Sequence, residues 1–308
     1  MNLMENNIRL ALEWIPNTNH TGFYAAIDNG YYEDEGLHVS IFMPNDHGDG
    51  RRWLLDGQAD FAITEQMSLS DVFVKNQDAS LVAIAALNDH NLSGLLTNHR
   101  ISRPKDFTGK TYATFGYPTE QAIIRDTINA DGGDFSKTKI VSNNMIFDPV
   151  QDLADGKYDG IFVYHHWEGI MAAQGHQQEQ YHFYYVKDYV SSFDYYTPVI
   201  AANTHYLNAH GNIARRFLRA TRKGFAFAEA FPGDAAQTLM RYVPDRRLQE
   251  KLVIASQREI SQHYRNEKSL WGAFDSHRWR AFYHWLNQQN MGKKIPEDIG
   301  FTNKYLDI

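Results

Sequence analysis

The run D-G-x-x-D occurs twice in this chain, each time leading into an apolar stretch: L-D-G-Q-A-D-F-A-I at 55–63 and A-D-G-K-Y-D-G-I-F at 154–162. Gly57 and Asp60 are matched by Gly156 and Asp159 at a common offset. One D-G pair is ordinary turn chemistry, but other features repeat in the same order. The junction Trp14–Gly22, moved by about the same offset, lands on T-F-G-Y-P-T-E-Q at 114–121, again a strand end, a glycine and a helix start. Thr64-Glu65-Gln66 likewise falls opposite Val163-Tyr164-His165. Two matched series predict an α/β fold of two similar lobes whose strand carboxyl ends face across a cleft. Small ligands lodge outside the carboxyl ends of strands in such sheets.

Apolar periodicity and turn residues predict the elements. The first series has strands Ile8–Trp14, Leu37–Phe42, Asp60–Ile63 and Leu81–Ala86, with helices Thr21–Tyr32, around Arg51–Leu55, and from Gln66. After the connector at 102–110 come strands Thr111–Phe115, Lys139–Val141 and Gly160–Tyr164, with helices Pro118–Asn129, Pro149–Ala154 and His166–Ala173. The remainder from Gly211 reads as mostly helical. Crossings near 98–101 and 196–203 predict a two-stranded hinge, with 8–98 plus 200–308 as one lobe and 99–199 as the other. Such a hinge permits rigid-body closure.

A net charge of −7 argues against a nucleic-acid partner, which would want a basic face. The absence of cysteine excludes a disulfide framework, a thiolate nucleophile and a cysteine-held metal or cluster. The apolar run L-V-A-I-A-A-L at 81–87 is too short to span a bilayer and reads as a buried strand. M-N-L-M-E-N-N has no signal-peptide core. The protein is expected outside the cytoplasm and membrane-associated if a signal preceded this sequence, and in the cytoplasm if Met1 is the native start.

Five segments carry a family resemblance: W-I-P-N-T-N-H-T-G-F-Y-A-A, G-Y-Y-E-D-E-G-L-H-V, G-Q-A-D-F-A-I-T, R-P-K-D-F-T-G-K-T-Y and the terminal F-T-N-K-Y-L. With them the chain resembles the ThiY group of type II periplasmic-type solute-binding proteins, relatives of the yeast pyrimidine-precursor synthase. The resemblance implies capture of an N-formyl-4-amino-5-aminomethyl-2-methylpyrimidine for the permease of an ABC importer, by a monomer that needs no cofactor. Flavin- and sulfonate-type ligands belong to other branches. The synthase branch implies the rival reading, with pyridoxal phosphate, a histidine that is consumed, and iron. Thr64 and Ser68 stand where that branch needs its lysine and histidine, and Ser192-Phe193-Asp194-Tyr195-Tyr196 replaces its cysteine-rich run. A hydroxyl forms no imine, which disfavours an enzyme.

An aminopyrimidine asks for aromatic faces and polar groups at its edge. Trp14 is expected as one stacking wall, although a core tryptophan is its plainer role, and Tyr164 as the opposing aromatic. Glu168, in H-H-W-E-G, is expected to accept from the 4-amino group; the plainer role is a solvated helix charge. Asn17, Asn19 and His20 are candidate polar contacts, or simply helix-capping residues. Glu65 and Gly116 stand at the matched strand ends, Tyr117, Tyr195 and Tyr196 are candidate walls or lids, and Asp194 is a contact or a turn residue. His165-His166 with Glu168 offers metal-ligand types, but adjacent histidines diverge and no metal is expected. Asp46-His47-Gly48-Asp49-Gly50 resembles a calcium loop in composition alone, without its spacing. No catalytic triad or phosphate loop is present.

Overall fold

The computed structural model describes residues 6–43, 50–76, 80–142, 148–175, 181–245, 248–266, 268 and 270–307, so that all of the calcium-like run but Gly50 lies outside the described residues. The chain forms two compact units. Met1–His90, Tyr195–His284 and Gly292–Ile308 make the first, and Asn91–Asp194 with Trp285–Met291 the second.

The first unit carries β1 (Asn7–Ala11), β2 (His38–Phe42), β3 (Phe61–Thr64) and β4 (Leu81–Ala86). The second carries β5 (Ser93–Asn98), β6 (Thr111–Thr114), β7 (Lys139–Ser142), β8 (Gly160–Tyr164) and β9 (Tyr181–Tyr185), and β10 (Val199–Asn203) returns to the first. The sheet orders are β2-β1-β3-β10-β4 and β7-β6-β8-β5-β9. In each sheet the first three strands are mutually parallel and the fourth is antiparallel to both its neighbours. The fifth strand therefore runs with the first three.

The passages between units fall elsewhere than the sequence suggests. β5 pairs with β8 and β9, so the first passage lies at 90/91 instead of 98/99, and the second at 194/195 instead of 199/200. The sequence reading also lacks the segment 285–291, which the second unit takes from the end of the helix Ser276–Gln288 and the residues after it. Trp285 fastens it, with Nε1 donating to the Asp126 carboxylate at 2.8 Å and its ring edge-on to Phe193 at 4.8 Å.

The two D-G-x-x-D runs make the same structure twice. Each glycine follows a short helix, Gly50–Leu55 or Pro149–Ala154, with φ of +68° at Gly57 and +71° at Gly156. The N–H groups of Gly57 and Gln58 donate to Leu54 and Trp53 carbonyls, and those of Gly156 and Lys157 to Leu153 and Asp152. This paired closure is the Schellman motif, whose left-handed position suits glycine because no Cβ is there to clash. The second aspartate then clamps the neighbouring strand. Asp60 Oδ2 accepts the Arg9 N–H at 2.8 Å, and Asp159 Oδ2 accepts the Thr111 N–H at 2.9 Å. The other carboxylate oxygen takes the Arg9 guanidinium in one unit and the Asn98 amide in the other.

Cores fill the faces behind these clamps. Phe61 stacks on Phe217 at 4.2 Å in the first unit, while Leu96, Ala113, Tyr158, Ile161 and Val163 pack together in the second. The helical stretch Thr204–Ala230, kinked at His210, crosses the helix Thr21–Asp28 closely. A Cβ on Gly224 would run into the Gly22 carbonyl, so glycine permits that approach.

Candidate ligand-binding site

β1 ends at Ala11, three residues short of Trp14, because the ladder closes with Leu12 N–H on the Phe42 carbonyl and the chain then bends. Trp14 lies in that bend, 39% exposed, which excludes the core role. Asn17, Asn19 and His20 are all buried. Asn17 caps the turn Thr18–His20, its side chain accepting from the Asn19 N–H at 2.9 Å. His20 Nδ1 accepts the Asn17 N–H at 3.1 Å, which leaves the ring proton on Nε2 facing the Glu13 carboxylate at 3.1 Å. Asn17 and His20 thus fix the loop that carries Trp14, while Asn19 keeps a buried Oδ1 with no hydrogen-bond partner among the described residues.

The expectation that Tyr195 and Tyr196 form a lid or wall is corrected. Both are almost wholly buried, at 1% and 2% exposure. Tyr195 packs on Phe282 at 4.5 Å, and Tyr196 lies against Phe274 and Trp279 while its hydroxyl accepts the Asp275 N–H at 2.6 Å. Two large rings just before the apolar β10 are drawn into the core by the area they bury. Half-buried Glu65 holds the N-cap position of the helix Gln66–Lys75, but its side chain does not cap it. Its neighbour Gln66, absent from the sequence candidates, is fully buried. It accepts from the Tyr196 N–H at 3.0 Å and donates to the Trp279 carbonyl at 2.8 Å.

In the second unit, Gly116 turns at φ +91° and Tyr117, 49% exposed, precedes the helix Pro118–Ala130. Glu120, another residue the sequence reading missed, holds this turn from beneath. Its carboxylate accepts from the Tyr112 hydroxyl, from Thr114 Oγ1 at 3.2 Å and from the Phe115 N–H at 3.1 Å. Burial pushes the Glu120 carboxyl up to about 7 against the pull of these donors. An acid three places into a proline-led helix start is the signal that would have found it.

Tyr164 closes β8, and the expected helix from His166 is instead a π turn, His165–Gly169, followed by the α-helix Ile170–Gln174. Such turns occur often at functional sites. The turn brings Glu168 back onto its own start, with Oε2 accepting the Tyr164 N–H at 3.2 Å. Glu168 is therefore no freely solvated helix charge: burial pushes its carboxyl up to about 7. The two histidines diverge, His165 packing on Phe183 and Tyr185 and His166 on Tyr164. Among the described residues no three His, Cys, Asp or Glu side chains gather as metal ligands would. Asp194 ends the turn Ser191–Phe193, and its carboxylate accepts the Asn91 N–H at 2.9 Å just ahead of β5, a tie between segments distant in the chain.

Trp14, Asn17, Asn19, His20, Glu65, Tyr195 and Tyr196 thus lie along one edge of the first sheet, beyond the carboxyl ends of β1 and β3 and the amino end of β10. Gly116, Tyr117, Tyr164 and Glu168 lie along the corresponding edge of the second sheet, beyond β6 and β8. The sequence from Asn17 to Ala235 matches the family described as NMT1/THI5 like. The chain belongs to that family. It is similar to a formylaminopyrimidine-binding protein of Halalkalibacterium halodurans, 24% identical across 91% of this chain and 84% of that one. It is also similar to a 4-amino-5-hydroxymethyl-2-methylpyrimidine phosphate synthase of Saccharomyces cerevisiae, 21% identical across 98% of this chain and 88% of the other. Among solved structures, the periplasmic aliphatic sulphonate binding protein SsuA of Escherichia coli superposes with a TM-score of 0.70 at 13% identity, over 94% of this chain and 95% of that one. The fold is that of the periplasmic binding proteins, and these similarities support a binding-protein role.

Proposed function

We propose that this protein is the substrate-binding component of an ABC importer, captures a thiamine-related aminopyrimidine of the N-formyl-4-amino-5-aminomethyl-2-methylpyrimidine type, and performs no chemistry on it. The observation that carries the reading is Glu168, drawn back by the π turn onto the Tyr164 backbone N–H, with its carboxyl pushed up to about 7. As a neutral acid it donates to a ring nitrogen while its carbonyl accepts from the adjacent amino group. As a carboxylate it accepts from the amino group and from a protonated ring nitrogen. Either form makes two bonds to one edge of the ring. Trp14, exposed on its bend, and Tyr117 supply aromatic faces.

The first similar protein described above, a formylaminopyrimidine-binding protein, supports the choice of ligand. Pyridoxal phosphate does not fit the junction after β3. Thr64, buried at 4% exposure, and Ser68 offer only hydroxyls there, and neither forms an imine. A ligand with contacts in both units favours whichever arrangement makes both sets together, which is the closing step of the proposal. An importer role also places the working protein outside the cytoplasm, beside its permease. Isothermal calorimetry with the formylated pyrimidine tests the reading, and saturable one-to-one heat is expected. No heat with the pyrimidine, but binding of a flavin or an alkanesulfonate, would move the protein to another ligand class. Turnover of pyridoxal phosphate would overturn the binding role.

A further inference from the structure

β4 runs in the same direction as β1 and β3, so the residues that follow it emerge at the edge that holds Trp14, Asn19 and Glu65. Asn88 stands there, two residues past the strand end, at 3% exposure. Its backbone neighbours are fixed, Leu87 N–H on the Pro198 carbonyl at 3.0 Å and Asp89 N–H on the His263 carbonyl at 2.6 Å. The side chain is treated differently: both Oδ1 and Nδ2 are buried with no hydrogen-bond partner among the described residues. Leaving a buried polar group unsatisfied costs about 1–3 kcal/mol. A leucine of similar size would avoid that cost, so an asparagine at this place needs a partner from outside the chain. Asn19 Oδ1, at 4% exposure on the same edge, is a second buried acceptor without one.

We propose that Asn88 is a ligand contact, whose amide receives and donates one hydrogen bond each to the neutral formamide arm of the bound pyrimidine. The inference rests on the aminopyrimidine reading above and gives it a second polar anchor. Glu168 meets the ring edge, where the amino group adjoins a ring nitrogen. Beyond the ring nitrogens and the amino group, the ligand offers the N–H and the carbonyl of its formylated aminomethyl group, a neutral donor and acceptor side by side. A side-chain amide complements both without a net charge, while the ammonium of the unformylated amine would find no anion in Asn88. Asn88 thereby contributes to the choice of the formylated compound over its relatives.

The test compares Asn88→Leu with the unaltered protein by calorimetry, using the N-formyl aminomethyl pyrimidine and 4-amino-5-hydroxymethyl-2-methylpyrimidine, which lacks the amide. Asn88→Leu is expected to weaken the formylated ligand about 10- to 100-fold and the hydroxymethyl compound far less, through loss of two arm contacts. Its ligand-free melting temperature should equal or exceed that of the unaltered protein, because an unpaired buried polar group has gone. Asn88→Ala, which cannot overpack, serves if the leucine variant does not fold. Unchanged binding, an equal loss for both pyrimidines, or a fall in melting temperature in both variants overturns the inference alone. If the unaltered protein binds neither compound, the reading of the function falls and this inference with it.

Discussion

β2, β1, β3, β10 and β4 of the first sheet correspond to β7, β6, β8, β5 and β9 of the second, and the segments leaving β3 and β8 are where the two part company. After β3 the chain enters an ordinary helix. Its first residue, Gln66, is spent on the fold, tied by its side chain to Tyr196 and Trp279. After β8 the chain makes a π turn, and Glu168 is held half-buried beside Tyr164 with its proton retained near neutrality. The turns that feed the two strands, by contrast, are near copies: the same Schellman closure and the same aspartate clamp. The scaffold on the amino side of these strands tolerates little change, because backbone groups are satisfied there. The carboxyl side admits very different side chains on an equivalent frame.

The strongest way to break the comparison is at the clamps. Asp60→Ala and Asp159→Ala should each lower unfolding free energy by about 1–3 kcal/mol, since each leaves a part-buried backbone N–H without its acceptor and a polar partner without its carboxylate. Urea unfolding measures it, and a loss confined to one variant would show that the turns are not equivalent. At the divergent ends, Glu168→Gln should weaken pyrimidine binding by about 1–3 kcal/mol, read by calorimetry, with no loss of stability at pH 8. Gln66→Ala should do the reverse, lowering stability by about 1–3 kcal/mol through two broken side-chain bonds.

Acidity sharpens the contrast further. Glu120 and Glu168 both hold their protons more tightly folded than unfolded, rising from the ordinary 4.5 to about 7. Each therefore adds stability that is whole below pH 4.5 and is lost as pH rises through about 7. The second unit should lose up to about 2 kcal/mol per carboxyl between pH 5 and 8, by linkage, and Glu120→Gln with Glu168→Gln should flatten the profile of melting against pH. The smallest effect is expected at Trp14→Ala: about 1 kcal/mol of affinity with stability changed by less than about 0.5 kcal/mol, as befits an exposed ring. A large fall in melting temperature would return Trp14 to the core.

What the sequence disclosed follows from where its signals are local. The D-G-x-x-D turns, their strands and the alternation around them depend on neighbours a few residues apart, and β4, the helix Pro149–Ala154 and β8 were legible with the ends the structure gives them. β5 and β9 escaped notice because their order comes from pairing with each other and with β8, partners distant in the chain. The aromatic pair Tyr195-Tyr196 looked like a binding surface until Phe282 and Trp279, far along the sequence, were found against it. Glu168 was legible as a candidate, but its raised acidity was not, since that depends on the π turn and on burial. Asn88 carries no motif at all; only the lack of partners around a buried amide marks it.

Trp285 and the residues to Met291 belong to the second unit although nearly all of that unit is encoded before residue 195. A chain emerging from the ribosome can assemble β5 to β9 early, but the indole that binds Asp126 and Phe193 arrives only after the long helix Thr204–Ala230 and much of the C-terminal region have been made. The second unit must therefore wait, incomplete, for its last piece, and its final consolidation follows the making of the helix that carries Trp285.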